Sequence, residues 1–303
     1  MAISRAQLVK ELEPGLNALF GLEYKQYENQ HSEIYTSESS DRAFEEEVML
    51  SGFANAQVKG EGSGVSFDEA QETFSARYTH ETVALAFAIT EEAIEDNLYD
   101  RIASRYTKAL ARSMSNTKQV KSVEPLINGL PTTDSFDSGD GVSLFSTAHP
   151  TIAGTYKNTL SAQADLNETS LEQSLIDIAA MTDERGLRIA ARGVKMIIPS
   201  KLQFTAERLM KSQGRTATAD NDINAIASMG MIPQGYRVNN YLTDDDAFYI
   251  ITDVPNGMKM FNRAPLTTAM EGDFDTGNVR YKARERYSFG VSDPRGIFGT
   301  EGA

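Results

Sequence analysis

Cysteine is absent from the 303 residues, which removes disulfides, thiolate nucleophiles and every cysteine-based zinc site at once. Histidine is scarce: His31, His80 and His149 are the only three, and they stand far apart. Long apolar runs are missing as well. The longest, Val83 to Ile89, has seven residues, and the opening MAISRAQLVKEL holds no signal-peptide hydrophobic region, so no membrane crossing is expected and the chain reads as cytoplasmic. Basic residues are outnumbered, 29 Lys and Arg against 43 Asp and Glu, a net charge of −14 that argues against wrapping nucleic acid. With 40% hydrophobic and 24% charged residues, the composition suits a soluble protein with one large core or two modest ones.

The clearest signal is the stretch from Thr90 to about Thr117. Ile94, Leu98, Ile102, Tyr106, Leu110 and Met114 recur at i, i+4, a spacing that only an α-helix gathers along one side. Thr90 is placed to cap it, and no Gly or Pro interrupts it before Pro125. The spacing predicts a spine of about 42 Å at ~1.5 Å per residue. Each step of four advances about 400°, so the stripe drifts round the rod and different parts meet different neighbours. Acidic residues fill its first half and basic residues its second, as the helix dipole favours.

Before the spine, Ser4 with Gln7 reads as a capping box and Leu8, Val9, Leu12 and Leu16 form an apolar stripe, but Pro14-Gly15 is expected to end that helix early. The polar stretch to Asp41 reads as an arm, either disordered or lying on another subunit. Glu45 to Thr82 reads as two extended segments round a flexible GEGSG tip, with a bend near Asp68 to Ala70 to reconcile side-chain parity. Val83 to Ile89 alternates bulky residues with alanines, which predicts a strand buried on both faces. After the spine, Leu126 to about Asn240 reads as a compact α/β region. Within it, one helix opens on a Thr169/Glu172 capping box and stops at Gly186; another runs from Pro199-Ser200 to about Lys211. Strands return at Tyr236–Leu242, Ala247–Thr252, Met258–Phe261 and Val279–Val291. The last carries Val279, Tyr281, Ala283, Glu285, Tyr287, Phe289 and Val291 on one face and Arg280, Lys282, Arg284 and Arg286 on the other.

No motif in the chain carries chemistry. His80-Glu81 starts a zincin pattern, but Ala84 stands where the second histidine belongs, so His80 reads as solvated on a strand. Asp220, Asp222 and Asn224 imitate a calcium loop that lacks its glycine and its closing glutamate; Asp220 or Asn221 capping a short helix is the plainer reading. Asp244 to Asp246 reads as a solvated turn, and GEGSG lacks the lysine and helix of a phosphate loop. No nucleophile elbow is present, and the basic face of the last strand lacks stacking aromatics. Catalytic, cofactor and metal residues are therefore expected to be none.

The order of parts, together with FEEEVMLSGF, ITEEAIEDNLYDR, DGVSLFSTAHP, ADNDINA, NYLTDDDAFYI and FDTGNVRYKARERYSFGVSDPRG, resembles siphophage-type major capsid proteins of the Hong Kong 97-type fold. The resemblance implies an α+β chain in four parts: an N-terminal arm (1–41), an extended hairpin loop (42–82), a peripheral domain with the spine (83–125 and 241–303) and an axial α/β domain (126–240). It implies pentamers and hexamers that close into an icosahedral virion shell enclosing double-stranded DNA, without sequence-specific binding or catalysis. It further implies a portal, a possible decoration protein and, since the arm begins directly at Ser4, a separate scaffold protein. The alternative within the same fold is an encapsulin-like cellular compartment.

Two expectations concern contacts between subunits. Phe53, Val58, Val65, Phe67 and Phe74 are too few to fold the hairpin alone, so their burial is expected on a neighbour. The acidic Glu45, Glu46 and Glu47, with Asp68, Glu69 and Glu72 farther along the hairpin, are expected to meet the basic row Arg280, Lys282, Arg284 and Arg286 of the next subunit, the competing reading being that the row faces inward onto packaged DNA. Lys59 near the tip reads as an ordinary solvated lysine rather than a crosslinking one.

Overall fold

The computed structural model describes all residues except 1–4, 91, 93–98, 131, 133–135, 215–221 and 274–276. Two four-stranded sheets organise the chain. The first has the order β1 (Thr36–Ser39), β10 (Met258–Gly272), β11 (Val279–Val291), β4 (Glu81–Ile89), with β1 parallel to β10 and the rest antiparallel. The second has the order β12 (Ile297–Thr300), β9 (Phe248–Thr252), β7 (Gly193–Ile198), β8 (Tyr236–Val238). Of the segment expected to lie wholly with the long strands, 241–303, β9 and β12 instead join the sheet of the middle region. Two-residue alternation cannot say which sheet a short strand enters.

The spine is α2, Tyr99–Asn128, and runs well past Thr117 and through Pro125. Pro125 removes one hydrogen bond in the last turns, but Val123, Leu126 and Leu130 are buried there against Tyr249 and Tyr287, and that packing outweighs the local cost. Thr90 precedes the described helix, and the positions of Ile94 and Leu98 lie outside the described residues. The drift of the stripe is visible further on: Leu110 and Met114 are buried, whereas Tyr106 is half exposed at the edge, its ring 5.7 Å from Phe87.

The N-terminal region differs most from its sequence expectation. Helix α1 spans Arg5–Gln26 and continues through Pro14-Gly15, while the Ser4 cap lies outside the described residues. Leu16 and Phe20 are buried with Leu110, Ala111, Met114, Tyr281 and Ala283, so α1 lies on its own spine and sheet. Ile34 and Tyr35 enter the cluster that joins the two sheets, and β1 adds a strand. An apolar stripe in the sequence shows that a helix has a face to bury but not which surface covers it, and Pro14-Gly15 hid the continuation to Phe20.

Strand β11 matches its expected limits and two faces. β4 does not: it is an edge strand with Ala84, Ala86 and Ala88 exposed, because only β11 pairs with it among the described residues. β10 is far longer than Met258–Phe261. Its register shifts between Asn262 and Thr267 absorb Pro265, beyond the part of its other edge that β1 covers. In the second unit, helix α3 (Glu168–Ala179) is capped by Asn167, not Thr169, in a reciprocal box with Ser170. It ends before Gly186, which at φ 81° belongs to a following turn. Helix α4 (Gln203–Lys211) follows a short 3-10 turn as expected, and the short α5 (Ala225–Met229) is capped by Asn224. Asp220 and Asn221 lie outside the described residues.

Candidate assembly surfaces

Strands β2 (Phe44–Leu50) and β3 (Glu72–Thr79) pair as an antiparallel hairpin, and residues 51–71 beyond them form no strand. The register shift sets Val48–Leu50 against Glu72–Ser75, two steps against three, so the extra residue lies on the exit strand, a few residues after Asp68 to Ala70. A turn at Gly60 to Ser63, with Gly62 at φ 75°, makes the tip. Phe53, Val58, Val65 and Phe67 are exposed, the last at 97%, and Phe74 is half-buried. Sequence reasoning missed three further members of this apolar surface: Phe44, Val48 and Leu50 project from one face of β2 and are exposed. Their period-two spacing with Glu46 was the available signal.

The base of the hairpin is held firmly. Tyr78 is buried against Phe261, ring centroids 4.7 Å apart, and its hydroxyl meets Ser292. Gly290 makes room for that ring, since a Cβ there would lie 2.6 Å from Tyr78 Cε1. His80 is buried rather than solvated: Nδ1 pairs with Ser288 Oγ and Nε2 with Ser40 Oγ, each at 2.9 Å. Burial and the nearby Arg286 lower its pKa. Lys259 Nζ reaches Glu47 at 2.6 Å and Glu38 at 3.2 Å; burial opposes its charge, but the two carboxylates prevail and raise its pKa. Farther out, Arg185 donates to the Glu69 carbonyl and stands 3.9 Å from Asp68.

The basic row lies on the open face of the first sheet. Arg280, Lys282, Arg284 and Arg286 stand opposite Ala88, Ala86, Ala84 and Thr82 of β4, and opposite Glu271, Ala269, Thr267 and Ala264 of β10. Directly paired residues share a face, so the cations run for about 20 Å between rows of mostly small side chains. Arg280 pairs with Asp273; among the described residues Lys282, Arg284 and Arg286 form no ion pair. The three hairpin acids have partners within the chain: Glu45 accepts from Ser40 and lies 3.8 Å from Arg42, Glu46 is 3.7 Å from Arg77, and Glu47 binds Lys259. On the opposite face Glu285 is buried with Lys118 at 3.2 Å and Tyr24 at 3.4 Å; burial raises its pKa.

A second buried cluster supports the short antiparallel hairpin of β5 (His149–Thr151) and β6 (Gly154–Tyr156), which carries His149. Its Nδ1 lies 2.6 Å from Asp140 and its Nε2 2.9 Å from Asn158 Oδ1, while Asn158 Nδ2 donates to the carbonyls of Leu144 and Pro294. Tyr156 stacks on the imidazole, and Arg295 lies over Tyr156 and pairs with Glu184. Gly139, at φ 95°, packs against the hairpin backbone at Ser75, so this cluster props the hairpin. No group of three potential metal ligands occurs among the described residues, and none of their helices is long and apolar enough to cross a membrane. Asp244 to Asp246 form a turn in which Lys201 lies 3.7 Å from Asp245 and 3.2 Å from Asp246.

Comparison with known proteins gives this architecture a family. The family model described as phage capsid protein matches residues 73–299, well over half of the chain. No individually curated protein matches the sequence. Among solved structures, the capsid of Myoviridae phage XM1 aligns with a TM-score of 0.53 at 10% identity, covering 89% of each chain. The procapsid of bacteriophage JBD30 aligns with 0.53 at 13% identity, over 98% of this chain and 76% of that one. A virus-like particle from Pyrococcus furiosus aligns with 0.51 at 12% identity, over 94% and 97%. At such identities the structural likeness speaks for the fold, and the family model for the kinship: the chain belongs to the phage capsid protein family and has the α+β Hong Kong 97-type fold of tailed-phage major capsid proteins.

Proposed function

We propose that this major capsid protein builds an icosahedral head from pentamers and hexamers of itself, with double-stranded DNA enclosed and no catalytic step of its own. The carrying observation is the hairpin: its base is fixed to its own sheet by Tyr78, His80 and Lys259, while Phe53, Val58 and Phe67 on its outer part stand in solvent. A projecting apolar arm on a rigid base suits docking onto a neighbour. Phe44, Val48 and Leu50 extend that surface, and the basic row of the next subunit is the proposed partner of Glu46 and its neighbours. The units built on the first and second sheets correspond to the peripheral and axial domains. A scaffold, a portal and any decoration protein are separate chains in this reading, and the DNA is held without sequence recognition.

Shortening residues 54–67 to a tight turn tests the reading. The variant should stay folded and soluble, by circular dichroism, yet fail to give closed particles in light scattering. Normal particles from it would remove the hairpin from assembly. Particles that enclose protein instead of nucleic acid would favour the cellular compartment.

A further inference from the structure

Residues 28–35 run between the spine and the second sheet, and their polar contacts form one connected set. The backbone N–H of His31 donates to Gln119 Oε1 at 3.0 Å, which fixes the orientation of that side-chain amide. Gln119 Nε2, a donor, then faces His31 Nδ1 at 3.1 Å and the Glu28 carbonyl at 3.3 Å. Nδ1 therefore accepts, and an accepting ring nitrogen carries no proton. The ring is half-buried and edge-on to Phe289, centroids 6.0 Å apart. From the same segment, the Tyr35 hydroxyl donates to Ser122 O on the spine and Gln30 Oε1 accepts from Asn240 N. Glu33 binds Lys195 of β7 at 2.7 Å and Arg237 of β8 at 3.5 Å.

We propose that residues 28–35 are a strap between the spine and the second sheet, held shut by neutral His31 and opened by acid. Protonation would set an N–H of the ring against the N–H of Gln119 and place a cation beside Lys118 of α2. The charged groups around the ring reinforce this. Among the described residues Lys118 pairs with Glu285 of β11, whose pKa burial raises against the pull of Lys118, so acid weakens the compensation of the ammonium beside His31. Glu33, on the strap itself, is kept ionised by Lys195 against a smaller effect of burial, so the contact with the second sheet outlasts the first protonation.

The sign follows from the pKa, which burial first and Lys118 second lower from 6.5 to about 4. An opened strap binds the proton more readily than a closed one, so its closure weakens as pH falls below about 6.5 and the loss levels off below about 4. The inference concerns the single chain and does not depend on how shells assemble.

Hydrogen exchange of the full unassembled chain at pH 7 and about pH 4, corrected for intrinsic rates, tests it. Protection over residues 28–35 should fall at least about tenfold more in the wild type than in His31→Asn, whose Oδ1 keeps an acceptor but does not titrate. Peptides from β9 should keep their protection. An equal fall in both proteins, or simultaneous loss across β9, would overturn the strap. Should His31→Asn not fold, the imidazole of the wild type read by NMR decides: titration near 4 in step with exchange supports the trigger, and titration near 6.5 rejects it.

Discussion

Lys259 Nζ sits 2.6 Å from a Glu47 carboxylate oxygen, joining the middle of the first sheet to the base of the projecting hairpin. With its side chain only 8% exposed, Lys259 has little water to replace a lost partner. Lys259→Met should leave Glu47 and Glu38 facing each other without a cation and cost roughly 1.5–3 kcal/mol. Urea unfolding of the unassembled protein measures this; a change under about 0.5 kcal/mol would mean that the pair does not hold the hairpin.

Gly290 tests the same joint by volume instead of charge. A methyl group there meets the Tyr78 ring at 2.6 Å, with Phe261 behind it. Gly290→Ala should lower stability by about 1–3 kcal/mol through forced displacement of that ring. The Gly290→Ala/Tyr78→Leu double variant should lose less than the two single changes together, as thermal melts would show.

Asp140 gives a pH dependence. Burial pushes its carboxyl up, but the hydrogen bonds from His149 and Ser138 outweigh burial and hold its pKa below the usual 3.8. The folded pKa is below the unfolded one, so the contribution is complete above about pH 4 and is lost as pH falls through the folded value. Asp140→Asn should lower stability at pH 7 and flatten the dependence below pH 4. Parallel acid titrations that keep a constant gap between the two proteins would contradict this.

Exposed charge pairs of the kind proposed between Glu46 and the basic row contribute about 0.2–1 kcal/mol each, and they act by repetition over many interfaces. Arg284→Glu and Glu46→Arg should each slow assembly in light scattering, and their combination should restore part of the rate. Because Glu46 also lies near its own Arg77, Arg77→Gln serves as the control for the intrachain pair. Absence of rescue would leave the row facing some other anion.

Long periodic features were legible in the sequence. β11 could be read residue by residue because one face alternates strictly with four cations, and the hairpin announced itself by extended arms round a glycine-rich tip. The spine was legible where no competing contact intervened; its extension through Pro125 was not, since that depends on packing around Leu126. Non-local relationships stayed hidden. The docking of Leu16 and Phe20, the burial of His80 between Ser40 and Ser288, and the pairing of β9 with β7 join residues distant in sequence, and no local pattern encodes them. β4 misled for a related reason: alternating alanines signal small side chains on one face but not whether anything in the same chain covers them.

Negative-stain electron microscopy of the purified chain, alone and with a scaffold protein, tests the central claim most directly. The account predicts closed shells with fivefold and sixfold clusters of a 33.3 kDa subunit. A protein that remains a 33.3 kDa monomer at high concentration, with scaffold present, would contradict it.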